Sequence, residues 1–108
     1  MPELPEVETT LRGIEPYIDG QKITDITVRQ PKLRWPVTDS IQDIVRGQTI
    51  RQLTRRAKYI VLQLDNGSIL IHLGMSGSLR IVNPSKNWRK HDHIEMQLAN
   101  HQALRYHD

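Results

Sequence analysis

Apolar residues at Val7, Leu11 and Ile14 recur at helical spacing, which predicts one amphipathic helix from Pro5 to about Tyr17, closed by Pro16 and Gly20. From residue 22 to 29 the period becomes two, with Ile26 and Val28 alternating against Asp25 and Thr27, while Ile23 falls out of phase and marks a bulge. The stretch Pro31-Lys32-Leu33-Arg34-Trp35-Pro36 reads as a loop. Asp39 or Ser40 then caps a short helix that carries Ile41, Ile44 and Val45 and ends at Gly47. Beyond it the chain turns to β structure. Strands are expected at 49–54, 58–64 and 68–73, with Asn66-Gly67 as a hairpin signal because both residues tolerate positive φ. Tyr59-Ile60-Val61-Leu62 and Ile69-Leu70-Ile71 are apolar at every position, a pattern that places them between layers. Gly74-Met75-Ser76-Gly77 forms a turn, Ser78–Val82 a strand and 83–90 a polar loop. Ile94, Met96 and Leu98 alternate with Glu95 and Gln97 in a strand that pairs across Asn100-His101 with 102–107. The predicted fold is mainly β within the α+β class: a two-layer β-sandwich or flattened barrel of six or seven strands, with an N-terminal helix and a second short helix.

A chain of 108 residues forms one domain, 1–108, with a modest core. The absence of cysteine excludes disulfides and thiolate metal sites and is compatible with a reducing cytoplasm. No apolar stretch is long enough to span a bilayer and no signal peptide is evident, so neither membrane insertion nor secretion is indicated. A net charge of +3 is a weak argument for nucleic acid, but its distribution changes the picture. Basic residues gather at Arg29-Lys32-Arg34, at Arg51-Arg55-Arg56-Lys58 and at Lys86-Arg89-Lys90 beside His91 and His93. Such clusters either converge into one phosphate-holding face or remain solvated surface.

The most specific chemistry lies in Met1-Pro2-Glu3-Leu4-Pro5-Glu6. Removal of Met1 leaves Pro2 as a free secondary amine, and an α-amino group titrates at about 7.7–8.0 against about 10.4 for lysine, so it is the better nucleophile at neutral pH. Condensed with an aldehyde-type carbon it gives an iminium that needs no proton to carry its charge, and Glu3 and Glu6 are placed to move protons. The plainer reading is a helix start, with Pro5 at the first helical position and acidic residues beside the positive end of the dipole. If Met1 is retained, the Pro2 nitrogen is an amide and inert. An N-terminal proline acting as general base in a tautomerase is a further alternative, and an inert interaction fragment another.

Pro2-Glu3-Leu4-Pro5-Glu6-Val7-Glu8, Leu33-Arg34-Trp35-Pro36, Arg55-Arg56-Ala57-Lys58-Tyr59, His72-Leu73-Gly74-Met75-Ser76-Gly77-Ser78-Leu79-Arg80 and Lys90-His91-Asp92-His93 together resemble the bacterial formamidopyrimidine-DNA glycosylases, in the family's order and over nearly the whole chain. Endonuclease VIII proteins share the Pro-Glu start but match less well elsewhere. The resemblance implies a bifunctional base-excision repair enzyme that removes 8-oxoguanine and formamidopyrimidines from double-stranded DNA and cuts the abasic strand. It implies Pro2 as nucleophile, Glu3 as proton donor, Glu6 as a supporting or merely structural carboxylate, and Lys58 as the cation beside the lesion phosphate. It further implies Met75 as a wedge in the space left by the flipped base, and His72 and His91 as phosphate contacts. Read without the family, Lys58 is a strand-end surface charge, Met75 a packed gap-filler, His72 a satisfied core residue and His91-Asp92-His93 a coincidental metal-like spacing. No cofactor is expected in this chain; zinc is expected only in a C-terminal finger that, with a helical two-turn domain, lies beyond it. The stop at Asp108 directly after strand-like sequence points to a fragment, for which weak DNA binding and little excision are expected. A monomeric, cytoplasmic protein is the remaining expectation.

Overall fold

The computed structural model describes residues 4–29 and 40–108. Its elements are α1 (Leu4–Ile18), β1 (Ile23–Val28), α2 (Ile41–Val45), β2 (Gln52–Arg56), β3 (Tyr59–Gln63), β4 (Ser68–His72), β5 (Ser78–Val82), β6 (Asp92–Leu98) and β7 (Ala103–His107). They form two antiparallel sheets, one of four strands in the order β1-β6-β7-β5 and one of three in the order β2-β3-β4. The sheets stay separate, so the architecture is an open sandwich and not a closed barrel. Helix α1 packs against β2, β3 and β5 and so bridges the two sheets, while α2 lies against β1.

Val7, Leu11 and Ile14 face the core as the helical period requires, and Ile18 joins them, fully buried. Pro16 does not close the helix but lies inside it. A proline removes one intrahelical donor, and burial of Ile18, worth roughly 1.5–3 kcal/mol, offsets much of that cost. Gly20, at φ +76°, then ends the run. The bulge falls where Ile23 leaves the alternation, as a register shift against β6 between Ile23 and Asp25.

Three further expectations need correction. Residues 49–51 precede the sheet strand: Thr49 bridges Lys22, and Ile50 exchanges backbone hydrogen bonds with Gly20 and Gln21, which leaves β2 to begin at Gln52. In α2, Ser40 is the N-cap residue but sits at φ 65° with no side-chain cap bond. Ile44 is 53% exposed there, so only Val45 is buried; Asp39 and the expected loop 31–36 lie outside the described residues. The three-stranded sheet is not covered on both faces, for Leu70 is 62% and Tyr59 39% exposed, while Ile60 and Leu62 are fully buried. A core on one side of this sheet suffices to bury the inward set, because side chains alternate between faces.

Candidate nucleic-acid interface

The antiparallel pairing brings one end of the sandwich into focus. Tyr59, at the start of β3, lies opposite His72, at the end of β4, and Arg56, at the end of β2, lies opposite Tyr59. His107, at the end of β7, lies opposite both Ser78 and Asp92, the first residues of β5 and β6. The Arg29 amide, just past β1, donates to the His93 carbonyl. Glu8, on the second turn of α1, pairs with Arg55 near this end, whereas the Tyr17 carbonyl accepts from Asn100 at the other. The N-terminal end of α1 therefore shares a pole with the β2–β3 turn, the β4–β5 turn and the close of the 83–91 loop.

The candidate residues occupy that pole. Pro2 and Glu3 lie outside the described residues; Glu6 is exposed on the first turn of α1, the first element that follows them. Lys58 is half-buried at the second position of the two-residue β2–β3 turn, behind Ala57 at φ 52°. His72 is half-buried, not a core residue, with its ring 4.9 Å from that of Tyr59. Met75 is 82% exposed at the tip of the β4–β5 turn, so it is no gap-filler. That turn is tight: a Cβ on Gly77 would lie 2.2 Å from the Leu73 carbonyl oxygen, which instead accepts from the Gly77 amide at 2.7 Å. Its Ser76 hydroxyl donates to the Asp108 carboxylate, and Tyr59, His72, Met75, Ser76 and Asp108 all line one cavity of about 770 Å³. His91 is exposed, edge-on to His93 and His107 with centroids 6.2 and 6.0 Å away.

Beneath His91 are side chains to which the sequence reading gave no role of their own. Asp92, fully buried, accepts both Arg80 terminal nitrogens at 2.7 and 2.6 Å, the Arg89 amide at 2.7 Å and His107 Nδ1 at 2.9 Å. The Arg80 guanidinium above all, helped by the Arg89 amide and His107, holds the Asp92 carboxyl far below the usual carboxylate range despite its burial. Arg105, also fully buried, donates to Glu95 at 2.7 Å and to the carbonyls of Pro84, Lys86 and Asn87. Its guanidinium lies 5.0 Å from the Trp88 ring, and that of Arg29 lies 4.7 Å from the same ring. Two buried ionic anchors thus pin the 83–91 loop across the sheet. The signal was present: Glu95 and Arg105 are register partners across the Asn100-His101 hairpin, so an opposite-charge pair on one face was foreseeable.

The basic clusters converge in part. Arg29 reaches the Arg89 carbonyl, which joins the first cluster to the third, and Arg56 and Lys58 share their pole. Arg51 is held at the opposite pole by Asp65, at 2.6 Å. The chain has no cysteine, and among the described residues no three His, Asp or Glu converge. Chemically, the pole offers cations at two turns, imidazoles, and an exposed apolar tip between them. This combination suits a phosphate backbone with a gap in its base stack.

A sequence profile described as "Formamidopyrimidine-DNA glycosylase N-terminal domain" matches residues 1–108. Curated proteins named "Formamidopyrimidine-DNA glycosylase" from Thioalkalivibrio sulfidiphilus and Photobacterium profundum are 52% and 55% identical over 108 residues, all of this chain and 40% of each relative. The fold matches a Lactococcus lactis formamidopyrimidine-DNA glycosylase noncovalently bound to DNA containing an AP site, with TM-score 0.90 and 34% identity over 99% of this chain and 41% of that one. It also matches the same bacterium's enzyme in complex with DNA containing a formamidopyrimidine lesion, with TM-score 0.89 and 34% identity. The chain spans about 40% of the length of the curated relatives it matches.

Proposed function

Because the chain belongs to the formamidopyrimidine-DNA glycosylase family, matching its N-terminal domain throughout, we propose that it supplies the nucleophile and part of the strand grip of a base-excision repair enzyme. The observation that carries this reading is the gathering of Lys58, His72, Met75 and His91 at the pole toward which the N-terminal end of α1 points. In the proposed reaction a damaged purine nucleotide leaves the stack and Met75 fills the gap. The Pro2 nitrogen, freed of Met1, attacks the sugar C1′ as the glycosidic bond breaks, and Glu3 protonates the opening sugar. The resulting iminium acidifies C2′; loss of that proton expels the 3′ phosphate, and a second elimination expels the 5′ phosphate. Lys58 lies by the lesion phosphate and favours the charge that develops there, while His72 and His91 hold flanking phosphates.

Borohydride trapping with abasic-site duplex, with the mass of the N-terminal peptide read from the same sample, tests the proposal. An adduct on Pro2 supports it. No adduct from a chain whose Pro2 is free and which binds the duplex refutes it, leaving a DNA-contact domain without catalysis.

A further inference from the structure

We infer that Arg55 is a positioning residue that ties the N-terminal helix to the turn bearing Lys58, an inference that rests on the repair reading above. One guanidinium makes two contacts in different elements: Nε donates to Glu8 Oε2 at 3.2 Å, and Nη1 donates to the Ala57 carbonyl at 2.8 Å. Glu8 stands two residues beyond Glu6 on α1 and also pairs with Arg12 at 3.2 Å, so its carboxylate is held from two sides. Ala57 is the first residue of a two-residue hairpin turn and has φ 52°, a conformation in which glycine, not alanine, is favoured.

Geometry explains why the turn needs a clasp. The backbone at Ala57 fixes the direction in which Lys58 leaves the sheet. Relaxation of φ toward the ordinary region would swing the lysine away and break the Arg56–Tyr59 pairing. Bonded to the Ala57 carbonyl, Arg55 opposes that relaxation, and through Glu8 it keys the turn to the helix that follows Pro2 in the chain. The guanidinium fork is what permits both contacts together; a lysine ammonium has no such geometry. Arg55 belongs to a basic cluster, but its Nε and Nη1 are already engaged by Glu8 and by the Ala57 carbonyl.

The test uses the full chain with Arg55→Met, Arg55→Lys, Ala57→Gly and the double variant Arg55→Met/Ala57→Gly. Amide exchange is followed by NMR, trapping on abasic-site duplex by gel, and DNA affinity across a salt series. Arg55→Met is expected to speed exchange about tenfold at Lys58 and in the early turns of α1 together. It is expected to slow trapping by about ten- to a hundredfold, as a misaimed catalytic group does, with the salt slope unchanged. Arg55→Lys behaves like Arg55→Met. The double variant recovers most of the trapping, since glycine accepts the turn without a clasp. A fall of about one unit in the salt slope makes Arg55 a phosphate ligand and overturns the inference. So does failure of glycine to rescue, or exchange unchanged at both ends. A wild-type chain with free Pro2 that binds the duplex and forms no adduct refutes the repair reading instead, and the exchange measurements still decide the tie.

Discussion

Replacing Arg105 by methionine should be the most damaging conservative change in the four-stranded sheet. Methionine matches the stem of the arginine in bulk but removes all of its donors. Arg105 and Glu95 side chains are 0% and 3% exposed, so the change leaves a buried carboxylate without its cation. The carbonyls of Lys86 and Asn87 belong to exposed residues and can turn to water, so their bonds are nearly recovered. The ion pair sets the cost, about 3–5 kcal/mol for breaking one side of a buried pair. Against a total stability of about 5–15 kcal/mol this is at least about a fifth. In urea, with a slope of about 1–3 kcal/mol/M, the midpoint should fall by roughly 1–5 M. The paired change Arg105→Met/Glu95→Leu should recover much of the loss, because an apolar pair of similar volume removes the orphaned charge. A single variant that loses under about 1 kcal/mol, or a double variant whose loss is the sum of the two singles, would refute the reasoning.

Three smaller changes probe other parts of the pole. Gly77→Ala should cost about 2–3 kcal/mol in thermal unfolding, because its Cβ would lie 2.2 Å from backbone; a loss within about 0.5 kcal/mol would mean the turn shifts freely. Met75→Ala should leave stability within about 0.5 kcal/mol, since the side chain is 82% exposed, yet weaken binding of abasic-site duplex relative to intact duplex; equal weakening of both would exclude a wedge. Burial, then the Asp108 charge and its hydrogen bond, pushes the Tyr106 hydroxyl up to about 12. The folded state therefore holds this proton longer than the unfolded chain does, and the linked stability is present below about pH 10 and lost as pH rises toward 12. Ultraviolet titration should show a late-ionising tyrosine that Tyr106→Phe removes.

Much of the sandwich was legible because it rests on periodicity. The bulge at Ile23, the α1 core stripe and the Asn66-Gly67 hairpin all follow from spacing or from turn residues that tolerate positive φ. What escaped was decided by tertiary context. Ile18 carries α1 past Pro16 because a core awaits it, and Ile44 is exposed because a five-residue helix presents too short a face to bury more than Val45. Leu70 and Tyr59 look like residues between layers, but only one side of their sheet meets the core, and sequence does not reveal how many layers will form. At the candidate site Glu6 was singled out by its chemistry and Lys58 and His91 by their basic clusters, whereas the roles of Lys58, His72, Met75 and His91 came from the resemblance. Asp92 and Arg105, which hold the loop in place, were given no role of their own because burial of a charge depends on partners distant in the chain.

Most positive φ positions fall to glycine, at Gly20, Gly47 and Gly67 and, in the β4–β5 turn of the candidate interface, at Gly74; Ser40 and His101 are exceptions elsewhere. At the interface Ala57 is a further exception, a methionine is left in water, and the buried Arg80 Nε has no partner among the described residues. The Ala57 backbone and the unpartnered Arg80 Nε each cost local stability, and each lies next to a residue that the proposed reaction uses: Ala57 before Lys58, and Arg80 beneath His91 through Asp92. Met75, at the tip of the β4–β5 turn, costs little but gains nothing from its exposure, so all three features fit a demand for placement at the candidate site. The Arg55 clasp and the two buried anchors are then the compensation that keeps such a surface ordered.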